Sequence, residues 1–442
     1  MKNLIIEYKS VMLYRILIII FTFSLVSAQS LFNRWNGSNS FVGSARSTSM
    51  GETHLLNSSG SSQTRFNPSS LSVNGKLMGI NFQVNSTSIR ERWSMPVRDS
   101  FGEFLTNADY VANEFNYYNV SGGLMGAINI AKKHTLGLGF NYAPLTNFTY
   151  RYSEEVRGSY SIEDGEYASK DPIVGYQNLN SEGGLMLSSI GSSFKLNLSE
   201  NNYISLGFAN NITLPATLKD KVEVDTLYSD VTNLTAMPDI NANYEIPSSS
   251  FLTFSSIMKL NSKINIGISF EQSMHIKLNQ ENIAIDSSSG LYLFWDNNNF
   301  TINGLNYIKP EISSFGISYK SDHNKPMSIN FEINNLSYKN HLNLLDTKYY
   351  KFGFEYITQM GTPIRGGLIY KKMSLPSIDP ISIFTFGTGK KISNVIIDFS
   401  GTYHMQTFSY PDLFVVEGDI RNTYDSVRDS QLNFQLGITY LY

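Results

Sequence analysis

Cysteine is missing from all 442 residues, so no lipid-modified cysteine follows an export signal and a lipoprotein is excluded. Charge is scarce as well: 16% of residues are Asp, Glu, Lys or Arg, against about 25% in an ordinary globular domain. The formal net charge of −3 provides no basic stripe, which excludes nucleic acid as a partner. Long apolar runs are absent too. Beyond residue 29 no window approaches 18 apolar residues, so a helical membrane protein is excluded. No Gly-rich phosphate loop, metal-ligand cluster or GxSxG element occurs, and no cofactor is expected.

The N-terminus carries the first positive signal. Lys2, Lys9 and Arg15 precede the apolar run Ile16–Val26, which ends in Val26-Ser27-Ala28. A basic start, a short apolar core and a small-residue site describe a secretory signal peptide over residues 1–28, cut after Ala28. The run has about 11 residues where a membrane-spanning helix needs about 20, which argues against an anchor. Met12 is an alternative start that gives a more usual basic region. The exported chain is therefore either soluble or a β-barrel.

Short alternating segments decide for the barrel. In LNFQLGITYLY, Leu432, Phe434, Leu436, Ile438, Tyr440 and Tyr442 fall on one face and Asn433, Gln435, Gly437 and Thr439 on the other. A terminal strand ending in an aromatic looks like the assembly signal of bacterial outer-membrane barrels. The same period sets Ile264, Ile266, Ile268 and Phe270 against Asn265, Gly267, Ser269 and Glu271, and Met327, Ile329, Phe331 and Ile333 against Ser328, Asn330, Glu332 and Asn334. A charge such as Glu332 within a strand requires a wet or paired face, and an aqueous lumen supplies one.

Fourteen such segments lie near residues 77–86, 117–131, 134–150, 184–198, 203–213, 250–260, 263–274, 311–320, 326–336, 349–358, 363–372, 381–391, 394–408 and 432–442. Short connections, such as Lys132-Lys133, Asn261-Ser262 and Ile392-Ser393, alternate with mostly long ones. That rhythm describes periplasmic turns and extracellular loops, and an even strand count closes the sheet without an edge. The expected fold is all-β, a transmembrane antiparallel barrel of about 14 strands over residues 76–442. Ahead of it, residues 30–73 have no sustained two-residue period and many Gly, Ser and Asn, which composition alone leaves as a disordered tail or a folded element.

Within that segment, FVGSARSTSMGETHLLNSSGSSQTRFNPSSL resembles the N-terminal signature of the FadL family, the outer-membrane long-chain fatty acid transporters. Gly43, Ala45, Arg46, Met50 and Gly51 match its first part and Asn67-Pro68 its Asn-Pro-Ala motif. Ser58-Ser59-Gly60 stands where acidic residues are usual, and Ser69 replaces the alanine. YEIPSSSFLTFSSIMKLNSKINIGISFEQS, from Tyr244, and KYYKFGFEYITQMGTPIRGGLIYKK, from Lys348, resemble later hairpins of the family, with Arg365-Gly366-Gly367 in its arginine-glycine position.

The resemblance implies that residues 29–75 form a hatch plugging the lumen. It implies that a long-chain fatty acid or other hydrophobic compound lands on apolar extracellular loops and leaves sideways into outer-membrane lipid at a kink in the third strand. Pro144 lies in the middle of that strand. Proline has no N–H for a ladder, so a break in pairing is expected there, either as this kink or as a rim bulge without a transport role. The resemblance sets Asn67, Pro68 and Ser69 against the kink.

Two loop stretches are candidate capture surfaces. Residues 99–116 place Phe101, Phe104, Leu105, Ala108, Val111 and Phe115 on one helical face behind a capping-type Asp99, and Leu291, Leu293, Phe294 and Trp295 form an apolar cluster in a polar loop. The alternative for both is mutual packing as a lid. Arg365 and Lys351, with Lys371, are the inward cations available to a carboxylate. Glu271, Glu332, Glu355 and Asp398 share their face, so ion pairing competes for them. The function expected is a monomeric, non-enzymatic uptake channel. The alternatives are a secretion shuttle or interaction scaffold and, least, a hydrolase. His404 and Asp398 share a face, but six residues of strand separate them by about 20 Å, too far for a dyad.

Overall fold

The computed structural model describes residues 31–37, 43–73, 78–131, 134–157, 173–227, 240–278, 295–296, 299–300, 305–321, 326–339, 341, 344–414 and 424–442. The expected signal peptide and the apolar cluster at residues 291–294 lie outside them. No helix among the described residues is long and apolar enough to cross a membrane.

Fourteen antiparallel strands close into one barrel. They are β1 (Met78–Arg98), β2 (Phe104–Ala131), β3 (His134–Asn147), β4 (Gly184–Asn197) and β5 (Tyr203–Thr213). Next come β6 (Ser250–Lys259), β7 (Ile264–Glu271), β8 (Glu311–Lys320), β9 (Met327–Ser337) and β10 (Thr347–Ile357). The last are β11 (Pro363–Lys371), β12 (Ile381–Ile392), β13 (Val395–Tyr410) and β14 (Asp425–Leu441). Each strand corresponds to one of the fourteen alternating segments. β14 pairs with β1 from Leu441↔Gly79 to Ser426↔Ser94 and completes the cylinder.

The alternation turns apolar side chains out and polar ones in. On β14, Phe434, Ile438 and Tyr440 are exposed while Asn433, Gln435 and Thr439 are buried in the lumen. Exposed Met78, Ile80 and Phe82 continue this belt on β1, with Leu124, Ile128 and Ile130 beside them on β2. A continuous apolar belt on a closed cylinder is a lipid-facing surface. It ends on β1 where exposed Arg90 and Arg92 pair with Glu114 and Asp109. The β1–β2 hairpin runs on past that level to its tip.

The helical face expected over 99–116 does not form. Asp99 closes a turn by accepting from the amides of Phe101 and Glu103, each at 2.9 Å, and Phe104 opens β2 opposite Arg98. Pairing with β1 outweighs the helical spacing of the apolar residues, because each ladder position satisfies backbone groups that an isolated loop helix leaves open.

Over the mouth lies a four-stranded antiparallel sheet of Tyr150–Arg157, Ile173–Glu182, Ala216–Thr226 and Ile240–Ile246. A hairpin of Met274–Leu278 and Leu305–Lys309 stands beside it. Trp93, Tyr150, Tyr152, Tyr410 and Phe414 form an aromatic core under this lid.

Residues 31–37 and 43–73 lie within the cylinder as short helical turns: α1 (Asn33–Asn36), α2 (Ala45–Ser49), α3 (His54–Asn57), α4 (Gln63–Phe66) and two 3-10 turns, Gly60–Ser62 and Pro68–Ser72. Small and polar residues suit this role, since they reach lumen side chains in every direction without needing an apolar stripe.

Candidate functional site

The plug is moored to the wall by polar contacts. The Ala45 amide donates to Gln83 Oε1 at 3.1 Å, and Gln435 Nε2 donates to the Gly43 carbonyl at 2.7 Å. Thr385 Oγ1 accepts from the Gly51 amide at 2.9 Å and donates to the Ser49 carbonyl at 3.0 Å. The Leu55 amide donates to Glu332 Oε2 at 2.9 Å, and Arg46 pairs with Glu355 at 2.8 Å. Backbone also lies directly on backbone. A Cβ on Gly367 would come within 2.2 Å of the Gly51 nitrogen, and one on Gly353 within 2.1 Å of the Met50 carbonyl oxygen. Glycine is therefore required at the Arg-Gly-Gly element of β11 for close approach of the plug.

Asn67, Pro68 and Ser69 do not face Pro144. The Ser69 amide donates to Ser255 Oγ at 2.9 Å, Ser205 Oγ donates to the Ser69 carbonyl at 2.6 Å, and Gly207 leaves room for the Pro68–Ser69 backbone. Asn67 Nδ2 bonds the Leu55 carbonyl, and its Oδ1 accepts from Ser69 Oγ at 2.6 Å. The turn is thus docked on β5 and β6. β3 is met instead by Leu71 and Ser72, at Gly137 and Gly139, and by Ser61, which accepts from Asn141 Nδ2 at 2.9 Å. Seven residues of strand, roughly 23 Å, separate Gly137 from Pro144. Ser69 in place of alanine closes a hydroxyl bond to Asn67 that alanine cannot make.

At Pro144 the wall changes. β2 and β3 pair from Ala131↔His134 up to Gly122↔Tyr142 and no further, while β2 stays paired with β1 to Phe104. Ala143, Pro144, Leu145 and Thr146 are buried in succession, so the inside–outside alternation stops and the strand turns inward. Against β4 the register slips between Pro144 and Thr146. A residue without an N–H sits where the ladder to β2 ends.

Between lid and plug lies a cavity of about 310 Å³. Its roof is Phe32, Asn33, Asn36 and Gly37, and its apolar wall includes Leu145, Ile312, Ile369, Ile381 and Ile383. Its floor is charged, with Glu52, His54 and Arg65 from the plug and Glu271, Glu332, Lys351 and Lys371 from the wall. The roof is held by Arg34, whose guanidinium forks onto Asp220 of the lid sheet at 2.8 and 2.6 Å with both side chains fully buried. His54 Nδ1 lies 2.9 Å from Ser47 Oγ, and its ring stacks on Phe66 at 4.5 Å. Burial holds its pKa well below the usual histidine value, with Lys351 and Arg65 adding to the effect.

Arg365 does not reach this cavity as a free cation. It is bound by Glu355 and by Asp398, each at 2.7 Å, and donates to the Thr388 carbonyl at 3.2 Å. These three acceptors take up its Nε and Nη1, and Arg365 is not among the residues that line the cavity. Lys351 lines the cavity but pairs with Glu332 at 3.5 Å and donates to the Glu52 carbonyl at 3.0 Å. Phe101, Phe104 and Leu105 stand at the hairpin tip, 90%, 54% and 61% exposed, rather than in a lid core. Trp295 begins a two-residue pairing with Asn299–Phe300. Arg65 was not among the expected cations; its place two residues before Asn67 carries no periodic signal.

No family model matches the sequence, and no curated protein matches it. Solved structures do resemble it. A FadL homologue of Pseudomonas aeruginosa aligns over 90% of this chain and 98% of its own, with TM-score 0.52 and 12% identity. The toluene transporter TodX of P. putida aligns over 90% and 98%, with TM-score 0.50 and 11% identity. The fold is thus that of a FadL-type barrel.

Proposed function

We propose that the chain is an outer-membrane channel for passive uptake of hydrophobic compounds, with long-chain fatty acids as the leading substrate class and lateral exit between β2 and β3. One observation carries the reading: the cavity that the plug closes from below borders Leu145, on the stretch of β3 that has left β2. A chain held against that wall has lipid on the far side of an unpaired seam. Leaving sideways spares it the water of the periplasm, at about 0.8 kcal/mol for each methylene kept buried. Exposed Phe101, Phe104 and Leu105 are assigned to capture at the cell surface. The similarity to a toluene transporter supports the coarser part, a hydrophobic cargo.

The absence of cysteine makes the test clean. Ser121 and Ala143 are the next positions in register beyond Gly122↔Tyr142. The double variant Ser121→Cys and Ala143→Cys, oxidised in proteoliposomes, is expected to lose uptake of labelled oleate and to regain it on reduction. Equal uptake in both states would remove the lateral route while leaving a hydrophobic channel.

A further inference from the structure

Four Lys and Arg side chains line the cavity; Lys371 lies over the Tyr349 ring at 5.1 Å, two others have carboxylate partners, and Arg65 is the one that the plug contributes. Lys309 pairs with Glu271 at 3.1 Å and Lys351 with Glu332 at 3.5 Å, while Arg34 and Arg46 have Asp220 and Glu355. Arg65 lines the cavity, is 7% exposed, and has no carboxylate within 4 Å among the described residues. Its Nε and Nη1 are buried without a hydrogen-bond partner there. Its guanidinium lies 4.7 Å over the Phe66 ring, which fixes its plane. Glu271 attracts it from beyond pairing distance, while Glu52 acts on Lys351 and Lys371 instead.

An arginine keeps its proton, and a guanidinium removed from water without a counter-ion costs several kcal/mol. The floor is therefore short of one anion at this place. The same cavity carries the apolar wall of Leu145, Ile369, Ile381 and Ile383. We propose that Arg65 binds the headgroup of the cargo, a single-chain carboxylate whose tail runs up that wall toward Phe32. The proposal rests on the cavity being the cargo site. It gives selection for acids over neutral hydrocarbons to the plug rather than to the barrel, because the planar fork matches a carboxylate.

The test compares oleate with oleyl alcohol, which has the same chain and no charge. Binding to the mature protein in maltoside micelles is followed by calorimetry and by thermal unfolding, for wild type, Arg65→Met and Arg65→Lys. Wild type should bind oleate at least tenfold more tightly than the alcohol. Arg65→Met should erase that ratio while still binding the alcohol, and Arg65→Lys should restore part of it. Without ligand, Arg65→Met should unfold no earlier than wild type, since it removes an uncompensated charge. An unchanged ratio in Arg65→Met, or loss of both ligands together with earlier unfolding, overturns the role of Arg65. Equal binding of both compounds by wild type overturns it too, with the cavity as cargo site left standing. Binding of neither overturns that cavity reading and the proposal with it.

Discussion

The two ends of the plug are held by opposite kinds of chemistry. Residues 31–37 sit in an apolar, aromatic core under the lid, with Leu31, Phe32 and Trp35 buried, a bidentate ion pair from Arg34 to Asp220, and the Leu31 amide donating to Glu91 Oε2 at 3.2 Å. Residues 43–73 are held by many separate polar bonds to the wall and by backbone lying on strand glycines. The roof of the cavity therefore follows the lid, whereas its floor follows the barrel.

The largest effect should come from breaking the roof alone. Asp220→Ala strands a buried guanidinium and should cost about 3–5 kcal/mol locally. The measurable outcome is cleavage by added protease within residues 31–37, with the barrel still resistant to heat in detergent. If the barrel itself unfolds early, roof and floor are not separable.

A middling effect is expected from breaking the floor alone. Gly367→Val pushes a side chain into the Gly51 backbone and should cost about 1–3 kcal/mol. Ion conductance in planar bilayers should rise as the plug lifts, while the Arg34 contacts survive. Conductance identical to wild type would mean that these glycines do not govern the seal.

The smallest effect is that of pH on the floor. His54 is depressed in the folded state by burial and by Lys351 and Arg65, so it binds fewer protons there than in the unfolded chain. Its contribution is complete above the ordinary histidine value of about 6.5 and is lost as pH falls through the lower folded value. Conductance should therefore rise on acidification below about 6.5, and His54→Gln should flatten that rise. An equal rise in the variant would assign the pH response to other groups.

The strands were legible because a closed barrel imposes one rule, apolar out and polar in, on every segment inside the belt. The rule lapses beyond the belt. Both faces of β2 near the β1–β2 hairpin tip are exposed, which is why Phe101, Phe104 and Leu105 imitate a helix. The resemblance of the N-terminal motif implied a hatch but named none of its contacts: Arg34 meets Asp220 across 186 residues and Ser69 meets Ser255 across the same interval. The free state of Arg65 depends on which carboxylates the folded wall gives to Lys309 and Lys351. No local pattern encodes that.

The seam between β14 and β1 has one further consequence. Gln435 reaches Gln83 across it at 2.8 Å and at the same time holds the Gly43 carbonyl. β14 thus closes on β1 across Gly43, a residue that precedes both in the chain. With the plug absent, Gln435 Nε2 would lose the Gly43 acceptor and Gln83 Oε1 the Ala45 donor, so the polar contact across this seam is complete only with the plug in place.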